Sequence, residues 1–318
     1  MAQILVLGFT GGIGRAATKA LVQNGHNVTA LVRSRSKGEK YINELNNITL
    51  IEGDASDYNS VLKAADGCSH LVYGLNIPYD KWSENVIPLL ETSLKVAAEK
   101  KLKFIFPGNV YVYGRAKLNP VNEDHPHEAS TKKGKIRIEM ENLIKKYSTE
   151  NNFPYTIIRM PDFYGPYVVN GFSEKLFINS ITGKSLQWIG NKETTTEYIF
   201  IEDGGKAIAN AAISEKADNQ EFNIPASEPI TNGDFLRKIA IAGGKNVKFS
   251  TLNSDIVFNI MGVFNPMVKE VKEMLYLKRE KLVLDGTKYK KTFGNIPATP
   301  YREGIDKTIT WAKEFFKL

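Results

Sequence analysis

A short apolar strand that turns into a helix through three glycines is the feature that most constrains this chain. Residues 4–7 read Ile-Leu-Val-Leu, a run suited to a strand buried on both faces. Gly8, Gly11 and Gly14 follow, and the segment 15–21 reads as a helix. Such a turn leaves backbone N–H groups and the positive helix end pointing at one place. The pattern therefore predicts a pyrophosphate-binding site.

The composition is that of a globular protein of the cytoplasm. The 318 residues suffice for one large domain or two modest ones, and the 42% hydrophobic and 24% charged content is ordinary. No apolar run approaches the ~20 residues of a membrane span. Because the glycine turn begins at residue 8, we expect no cleaved signal peptide. The single cysteine, Cys68, excludes an internal disulfide and fits a reducing compartment.

The net charge of +7 does not by itself indicate nucleic acid. Lys and Arg are spread along the chain, without a block that interleaves with aromatic residues. An anionic dinucleotide accounts for part of the excess. Of four histidines only His125 and His127 cluster, and neither has partners at metal-ligand spacing. We therefore expect a small-molecule substrate, no nucleic acid, no membrane partner and no metal.

The end of the second predicted strand favours NADP(H) over NAD(H). Folds that take NAD place an Asp or Glu there to bind the ribose 2′-OH. Here the strand ends at Val32, and Arg33 follows, within a basic loop that continues to Lys37. A guanidinium can hold a 2′-phosphate through two hydrogen bonds.

Apolar strands alternate with helices along the first half of the chain. The further predicted strands are residues 28–32, 48–51, 71–73, 104–106 and 155–159, with a long helix over 82–100. This alternation predicts an α/β fold, a Rossmann-type doubly wound parallel sheet. We place an NADP-binding domain at residues 1–165, to which the chain returns around 195–225, with a helix from Gly204. Residues 166–318 form a smaller substrate-capping region.

The glycine spacing G-x-x-G-x-x-G resembles that of the short-chain dehydrogenase/reductase superfamily. Residues 107–114, Pro-Gly-Asn-Val-Tyr-Val-Tyr-Gly, resemble the Ser-Ser-x-x-Val-Tyr-Gly segment of its extended members, the nucleotide-sugar epimerases and dehydratases. The resemblance implies that the catalytic Ser/Thr falls on Asn109, which can donate a hydrogen bond but cannot relay a hydroxyl proton. It also implies that Asp54 borders the adenine.

The superfamily's Tyr-x-x-x-Lys pair falls on Lys133 and Arg137. The pattern Lys-x-x-x-Arg-x-x-x-Glu at 133–141 is similar to an atypical branch that contains isoflavone-reductase-like enzymes. In that branch a lysine here is proposed as the acid/base, which implies this role for Lys133. At 3.6 residues per turn, Lys133 shares the apolar face of its helix, which Ser130 or Thr131 caps. The alternative is a lysine that extends to solvent from the helix start.

These observations define the candidate site residues. The catalytic candidates are Lys133, Asn109 and Arg137. The cofactor-binding candidates are Gly8, Thr10, Gly11, Gly12, Ile13, Gly14, Arg33, Asp54, Ala55, Gly74, Leu75, Pro107, Lys133 and Pro161.

The predicted function is NADP(H)-dependent oxidoreduction, with hydride transfer to or from a small carbonyl, enone or alcohol substrate. One alternative is a catalytically inactive NADP-binding redox sensor, and a second is a nucleotide-sugar epimerase or dehydratase, which the missing tyrosine weakens. The resemblance also implies a possible homodimer through the helices at 82–100 and 132–148. Four large apolar residues of the cap are expected in its core: Phe258, Met261, Phe264 and Met267.

Overall fold

The first two thirds of the chain form a seven-stranded parallel sheet and the helices that connect its strands. The computed structural model describes residues 1–42, 45–255, 258 and 272–318. The strands of the sheet are β1 (Gln3–Leu7), β2 (Asn27–Val32), β3 (Ile48–Glu52), β4 (His70–Tyr73), β5 (Lys103–Asn109), β6 (Tyr155–Met160) and β11 (Gln220–Asn223). Their spatial order is β11-β6-β5-β4-β1-β2-β3, and all neighbours are parallel. Strand order reverses between β1 and β4, so a crevice opens at their carboxyl ends.

Helices cover the sheet, and short strand pairs stand beside it. The described helices are α1 (Gly12–Gln23), α2 (Arg35–Glu39), α3 (Tyr58–Ala64), α4 (Trp82–Lys100), α5 (Lys132–Asn151), α6 (Ser173–Thr182), α7 (Ile201–Ala212), α8 (Asn232–Ala242), α9 (Thr287–Phe293) and α10 (Tyr301–Phe316). The shorter strands are β7 (Asp162–Tyr164), β8 (Leu186–Ile189), β9 (Thr195–Thr196), β10 (Tyr198–Phe200), β12 (Ile230–Thr231) and β13 (Phe249–Leu252). They pair as β10 with β7, β12 with β9 and β13 with β8. Across the described ranges, the helices fall short of the length and apolarity that a membrane crossing requires.

The side chains of β1 alternate between two separate apolar cores. Ile4 and Val6 pack on the side that α1 and α7 cover, whereas Leu5 and Leu7 pack on the side of α3, α4 and α5. All four side chains are fully buried. A strand covered on both faces needs no polar alternation, which is why it reads as a continuous apolar run. The predicted Rossmann-type α/β fold is confirmed.

Two features of the second half differ from the pattern read in the sequence. The return of the chain around 195–225 supplies α7 and the strand β11, whose Gln-Glu-Phe-Asn sequence carries no apolar signal. Helix α7 begins at Ile201, so the prediction of a start at Gly204 was wrong. The extra turn places Glu202 and Asp203 at the helix N-terminus, where the helix dipole favours negative charge.

In the C-terminal region α6, α8 and α10 pack against one another. Their buried side chains belong to the same core cluster as Ile4 and Val6 of β1. The predicted boundary at residue 165 falls between β7 and α6. Phe258 is buried, as a core residue should be. Met261, Phe264 and Met267 lie outside the described residues.

Helices α1 and α7 cross in close contact because Gly205 lacks a side chain. A Cβ at Gly205 would lie 2.4 Å from the carbonyl carbon and oxygen of Ala16. This crossing holds α1, and with it the glycine turn, against the sheet.

Replacing Gly205 with Ala should lower the free energy of unfolding by about 1–3 kcal/mol, because the added methyl forces the two helices apart. Urea denaturation measures the change. The control is Lys206→Ala on the same helix, whose half-exposed side chain should matter by about 0.5 kcal/mol at most. Helix propensity alone predicts that Gly205→Ala stabilises the protein, and that outcome would contradict the packing argument.

Candidate cofactor and active site

The turn after β1 is packed too closely for residues other than glycine. Gly8 has a φ of +80°, and a Cβ there would lie 2.3 Å from the carbonyl oxygen of Gly74. A Cβ at Gly14 would lie 2.3 Å from the carbonyl oxygen of Gly8. At Gly11 the nearest such atom is 3.4 Å away, so internal packing alone does not require a glycine there.

The N-terminus of α1 is open for an anion. Gly11 is its N-cap and supplies no side-chain hydrogen bond, and the first turn contains no acidic residue. The first N–H groups of a helix have no partner within it, so those of Gly12, Ile13 and Gly14 are available. Thr10 is exposed beside them. These residues fit a pyrophosphate, because the glycine turn and the uncapped helix terminus present backbone donors.

The ends of β4, β5 and β6 bring the next predicted cofactor residues to the same sheet edge. The N–H of Gly74 donates to the carbonyl of Leu7 at 2.9 Å, which joins the end of β4 to the glycine turn. Leu75 follows directly. Pro107 lies within β5, and Pro161 follows β6. The crevice therefore continues from the glycine turn across three strand ends.

The end of β2 presents an arginine, and the end of the neighbouring β3 presents two carboxylates. Arg33 is exposed directly after the strand. Hydrogen bonds from the backbone and hydroxyl of Ser56 lower the pKa of Asp54, and the charge of Arg33 adds a smaller effect. Asp54 and Ala55 follow β3, the edge strand. Glu52, which the sequence analysis missed, accepts a hydrogen bond from the N–H of Arg35 at 2.8 Å.

Lys133 is buried in the first turn of α5, with 1% of its surface exposed. Thr131 caps the helix by accepting a hydrogen bond from the N–H of Gly134 at 3.1 Å. The Lys133 Nζ lies 2.6 Å from Glu273 Oε1. The other carboxylate oxygen of Glu273 accepts the backbone N–H of Lys132 at 2.8 Å. Lys133 thus faces inward as predicted, and a carboxylate of the C-terminal region neutralises it; no sequence motif pointed to Glu273.

Arg137 lies one helical turn after Lys133, and its guanidinium packs on two aromatic rings. Its guanidinium carbon is 4.8 Å from the ring centre of Trp82 and 5.6 Å from that of Phe106. Burial lowers the pKa of Arg137, and neighbouring tyrosines partly offset this. Among the described residues, its Nε has no hydrogen-bond acceptor. Arg137 therefore places a positive charge close to the end of β5.

Two tyrosines that the sequence analysis missed complete this side of the site. Tyr79 lies in a short 3-10 helix, Tyr79–Lys81, and Tyr111 lies in another, Val110–Tyr113, directly after β5. Their hydroxyl oxygens are 2.8 Å apart. Asn109 Oδ1 accepts the backbone N–H of Tyr111 at 3.1 Å, so the Asn109 side chain shapes this turn. The chain contains 14 tyrosines, and no sequence motif distinguishes these two from the others.

The segment 273–280 of the C-terminal region crosses the site and is tied to it by ion pairs. Besides Glu273, its Lys278 Nζ lies 2.5 Å from Asp162 Oδ2, next to Pro161. The same Nζ lies 4.6 Å from the ring centre of Tyr198 and 5.2 Å from that of Trp188. Glu280 pairs with Arg115, in the loop after the Tyr111 turn. The cap therefore contributes charged side chains to the crevice.

A buried ion-pair cluster joins β6 to α5 and β11. Arg159, fully buried, donates to both carboxylate oxygens of Glu141, from Nε at 3.1 Å and from Nη2 at 2.6 Å. It also donates to Glu221 of β11. Burial alone would lower the pKa of Arg159, but the Glu141 carboxylate outweighs this and raises it. The cluster ties α5 to the sheet.

Three side chains of this cluster have the arrangement of metal ligands. In the described part of the chain, ligand atoms of His127, Glu141 and Glu221 lie within 4.8 Å of one another. Both carboxylates are bonded to Arg159, and Lys145 also pairs with Glu221. Positive side chains therefore already neutralise these carboxylates.

Comparison with known proteins places the chain in a family. The model of the NAD dependent epimerase/dehydratase family matches residues 4–224, more than half of the chain. The chain belongs to this family. Its glycine turn, parallel sheet and open α1 terminus all lie within the matched region.

Relatives within and around the family differ in their described activities. The chain is 27% identical over 254 residues to the chloroplast stem-loop binding protein of 41 kDa b from Arabidopsis thaliana, covering 76% of this chain and 63% of that protein. It is 24% identical over 251 residues to the UDP-glucose 4-epimerase of Corynebacterium glutamicum, covering 71% and 76%. The match thus spans less than two thirds of the Arabidopsis protein's length.

A solved structure shares the whole fold. The UDP-glucuronic acid 4-epimerase of Bacillus cereus, in complex with UDP-glucuronic acid and NAD, superposes with a TM-score of 0.81 at 19% identity, covering 98% of this chain and 99% of that one. At this identity the likeness shows the fold.

The ion-pair cluster predicts how stability depends on pH. Burial lowers the pKa of His127 from 6.5 to about 4, and the charge of Arg159 adds to the lowering. Between these values the unfolded chain binds more protons than the folded one, so stability is present above the unfolded pKa and falls as the pH drops. Between about pH 7.5 and about pH 5, the protonation of His127 should lower the free energy of unfolding by about 2 kcal/mol.

Urea denaturation over this pH range should give a shallower slope for His127→Gln than for the unsubstituted protein. An unchanged slope would assign the loss to another group. His70 is the next candidate, since burial lowers its pKa to about 4 as well.

Proposed function

We propose that the protein is an oxidoreductase that binds NADP(H) along the carboxyl edge of the sheet and exchanges hydride with a small hydroxyl- or carbonyl-bearing substrate. The observation that carries the proposal is the junction at Gly74, where the end of β4 meets the glycine turn and the uncapped N-terminus of α1. When bound, the nicotinamide ring supplies the hydride acceptor or donor. The family membership supports a nicotinamide dinucleotide.

The residues that would hold the cofactor follow the crevice from one end to the other. The N–H groups of Gly12, Ile13 and Gly14 bind the pyrophosphate, with Gly8 and Gly11 shaping the turn and Thr10 beside it. Asp54 and Ala55 border the adenine, and Gly74, Leu75, Pro107 and Pro161 lie along the nicotinamide side. Lys133 lies at that end.

Arg33 is proposed to select the 2′-phosphate of NADP(H). Its side chain is exposed directly after β2, whereas Arg35 is already paired with Glu39 at 3.3 Å. Glu52 is a carboxylate of the kind that binds a ribose 2′-OH, but it is engaged by the N–H of Arg35. The structural relative from Bacillus cereus contains NAD, so the selection requires a direct test.

NADPH should raise the thermal stability of the purified protein more than NADH does. At a hundredfold excess over the dissociation constant, a ligand stabilises the folded state by about 2.7 kcal/mol, which a melting curve resolves. Arg33→Ala should weaken NADPH binding about tenfold to hundredfold by removing a charged hydrogen-bond donor, with NADH binding unchanged.

Arg35→Ala is the matched control and should keep the preference for NADPH. Stronger stabilisation by NADH would overturn the choice of NADP(H) and point to Glu52 as the ribose ligand. No stabilisation by either dinucleotide would overturn the oxidoreductase proposal itself.

A nucleotide sugar is the second candidate substrate. The similarity to a UDP-glucose 4-epimerase over 71% of the chain favours it. The position of Lys133 and Arg137, in place of the superfamily's tyrosine and lysine, favours a different substrate class. A redox-sensing protein without catalysis needs no buried lysine and tyrosine hydroxyls at the nicotinamide end, and we therefore favour an enzyme.

A homodimer through α4 and α5 remains a proposal from the family resemblance. The large apolar side chains that are exposed in the described chain are Met1, Leu118, Val169, Ile213, Ile241, Phe315 and Leu318. None of them lies on α4 or α5.

Lys133, Asn109 and Arg137 are the proposed catalytic residues. Asn109 orients the substrate oxygen, and the buried cations Lys133 and Arg137 stabilise negative charge as it develops there. Glu273 balances Lys133 in the absence of substrate. The positive charge at the site therefore has the sign that stabilises the negative oxygen formed during carbonyl reduction.

Lys133→Met should lower kcat about 10²- to 10³-fold on the first substrate found to turn over, because a preorganised charge is lost. Lys133→Arg should retain more activity than Lys133→Met. Lys135→Met, at an exposed position of the same helix, is the control and should leave kcat unchanged. Full activity of Lys133→Met would remove Lys133 from the mechanism.

A further inference from the structure

Two tyrosine hydroxyls form a hydrogen-bonded pair at the proposed nicotinamide end of the crevice. The hydroxyl oxygens of Tyr79 and Tyr111 are 2.8 Å apart. Tyr111 is buried and Tyr79 is partly buried. They come from different strand ends, Tyr79 from the connection after β4 and Tyr111 from the turn after β5. A pair of hydroxyls uses one O–H as the donor between them, which leaves the second O–H for another acceptor.

The pair lies among the residues proposed to act on the substrate. The backbone N–H of Tyr111 is held by Asn109. A Cβ at Gly134 would lie 2.8 Å from the carbonyl oxygen of Tyr111, so the first turn of α5 packs directly on this tyrosine. Lys133 Nζ lies 5.1 Å from the ring centre of Tyr79. The end of β5 and the start of α5 therefore converge on the two hydroxyls.

We propose that Tyr111, hydrogen-bonded to Tyr79, is the group that exchanges the proton with the reacting oxygen of the substrate. The inference rests on the proposed hydride transfer. In the oxidising direction, the carbinol C–H leaves as hydride with both bonding electrons to the oxidised nicotinamide dinucleotide. The carbinol O–H gives its proton to the Tyr111 phenolate, and a C=O bond forms. In the reducing direction the Tyr111 hydroxyl returns the proton.

The contacts of Lys133 favour this division of roles. Its Nζ is engaged by the Glu273 carboxylate at 2.6 Å, a contact that holds it in place beside the site. Tyr111 instead offers a hydroxyl whose partner, Tyr79, is itself able to donate or accept. Lys133 is then a positioning and electrostatic residue, and the hydroxyl pair is the route of the proton.

The charged groups around the pair come from three other elements. Burial raises the pKa of Tyr111 and of Tyr79. The charge of Asp162, at the start of β7, raises both pKa values further. The charge of Arg137 of α5 lowers both pKa values, and that of Lys278 in the cap lowers the pKa of Tyr79. Tyr111 therefore remains a phenol without ligand. Added positive charge, as in an oxidised nicotinamide ring, moves it toward the phenolate.

The test is the ionisation of Tyr111, followed by NMR of protein labelled with ¹³C at the tyrosine Cζ. Spectra are recorded as a function of pH with saturating NADP⁺ and with saturating NADPH, or with the NAD forms if those bind more tightly. We expect one tyrosine signal to titrate at a pH lower by about one unit or more with the oxidised form, the usual effect of a nearby opposite charge. This signal should be absent in Tyr111→Phe.

Two further variants make the outcome decisive. Tyr147→Phe, on the same helix as Lys133 but four turns along it, should keep the cofactor-dependent signal. Tyr79→Phe should keep the signal with a changed midpoint, because its hydrogen-bond partner is lost. A signal that persists in Tyr111→Phe, or the absence of any difference in protein that both redox forms stabilise, would overturn the inference. Failure of every dinucleotide to stabilise the protein would instead overturn the proposed function on which it rests.

Discussion

The close approach of Gly8, Gly14 and Gly74 is the constraint on which the candidate site depends. At these positions a methyl group would collide with backbone atoms at less than 3 Å, so the turn after β1, the start of α1 and the end of β4 meet without side chains between them. This contact sets the direction of α1 and leaves its first N–H groups open. The Gly205 contact with α1 holds the same helix from the other side. The open N–H groups at the start of α1 therefore result from the close packing of these glycines.

The region where the sheet edge meets the segment 273–280 is organised by charged side chains rather than by backbone contacts. Lys133 and Lys278 are each neutralised across the boundary between the sheet and the cap, by Glu273 and Asp162. Buried or half-buried ion pairs are stabilising only when both partners are present, because an unpaired charge is costly to bury. The two ion pairs thereby couple the C-terminal region to the sheet edge.

Much of the architecture could be predicted from the sequence because it follows from local patterns. The continuous apolar run at β1 and the strand–helix alternation indicated a doubly wound sheet, and helical periodicity placed Lys133 on the buried face of α5. The strand β11 was missed, since Gln220–Asn223 becomes a strand only by pairing with β6. The start of α7 was placed three residues late, because acidic residues suited to a helix N-terminus were read as the end of a strand.

The sequence by itself determined the fold class and the glycine turn, because glycine spacing and apolar periodicity act over a few residues. The tertiary structure alone decided which charges and hydroxyls meet. Glu273 lies 140 positions from Lys133, and Tyr79 lies 32 positions from Tyr111. Such pairs carry no local signal, since they form only when the sheet edge and the cap remove both partners from water and leave each as the other's best hydrogen-bond partner.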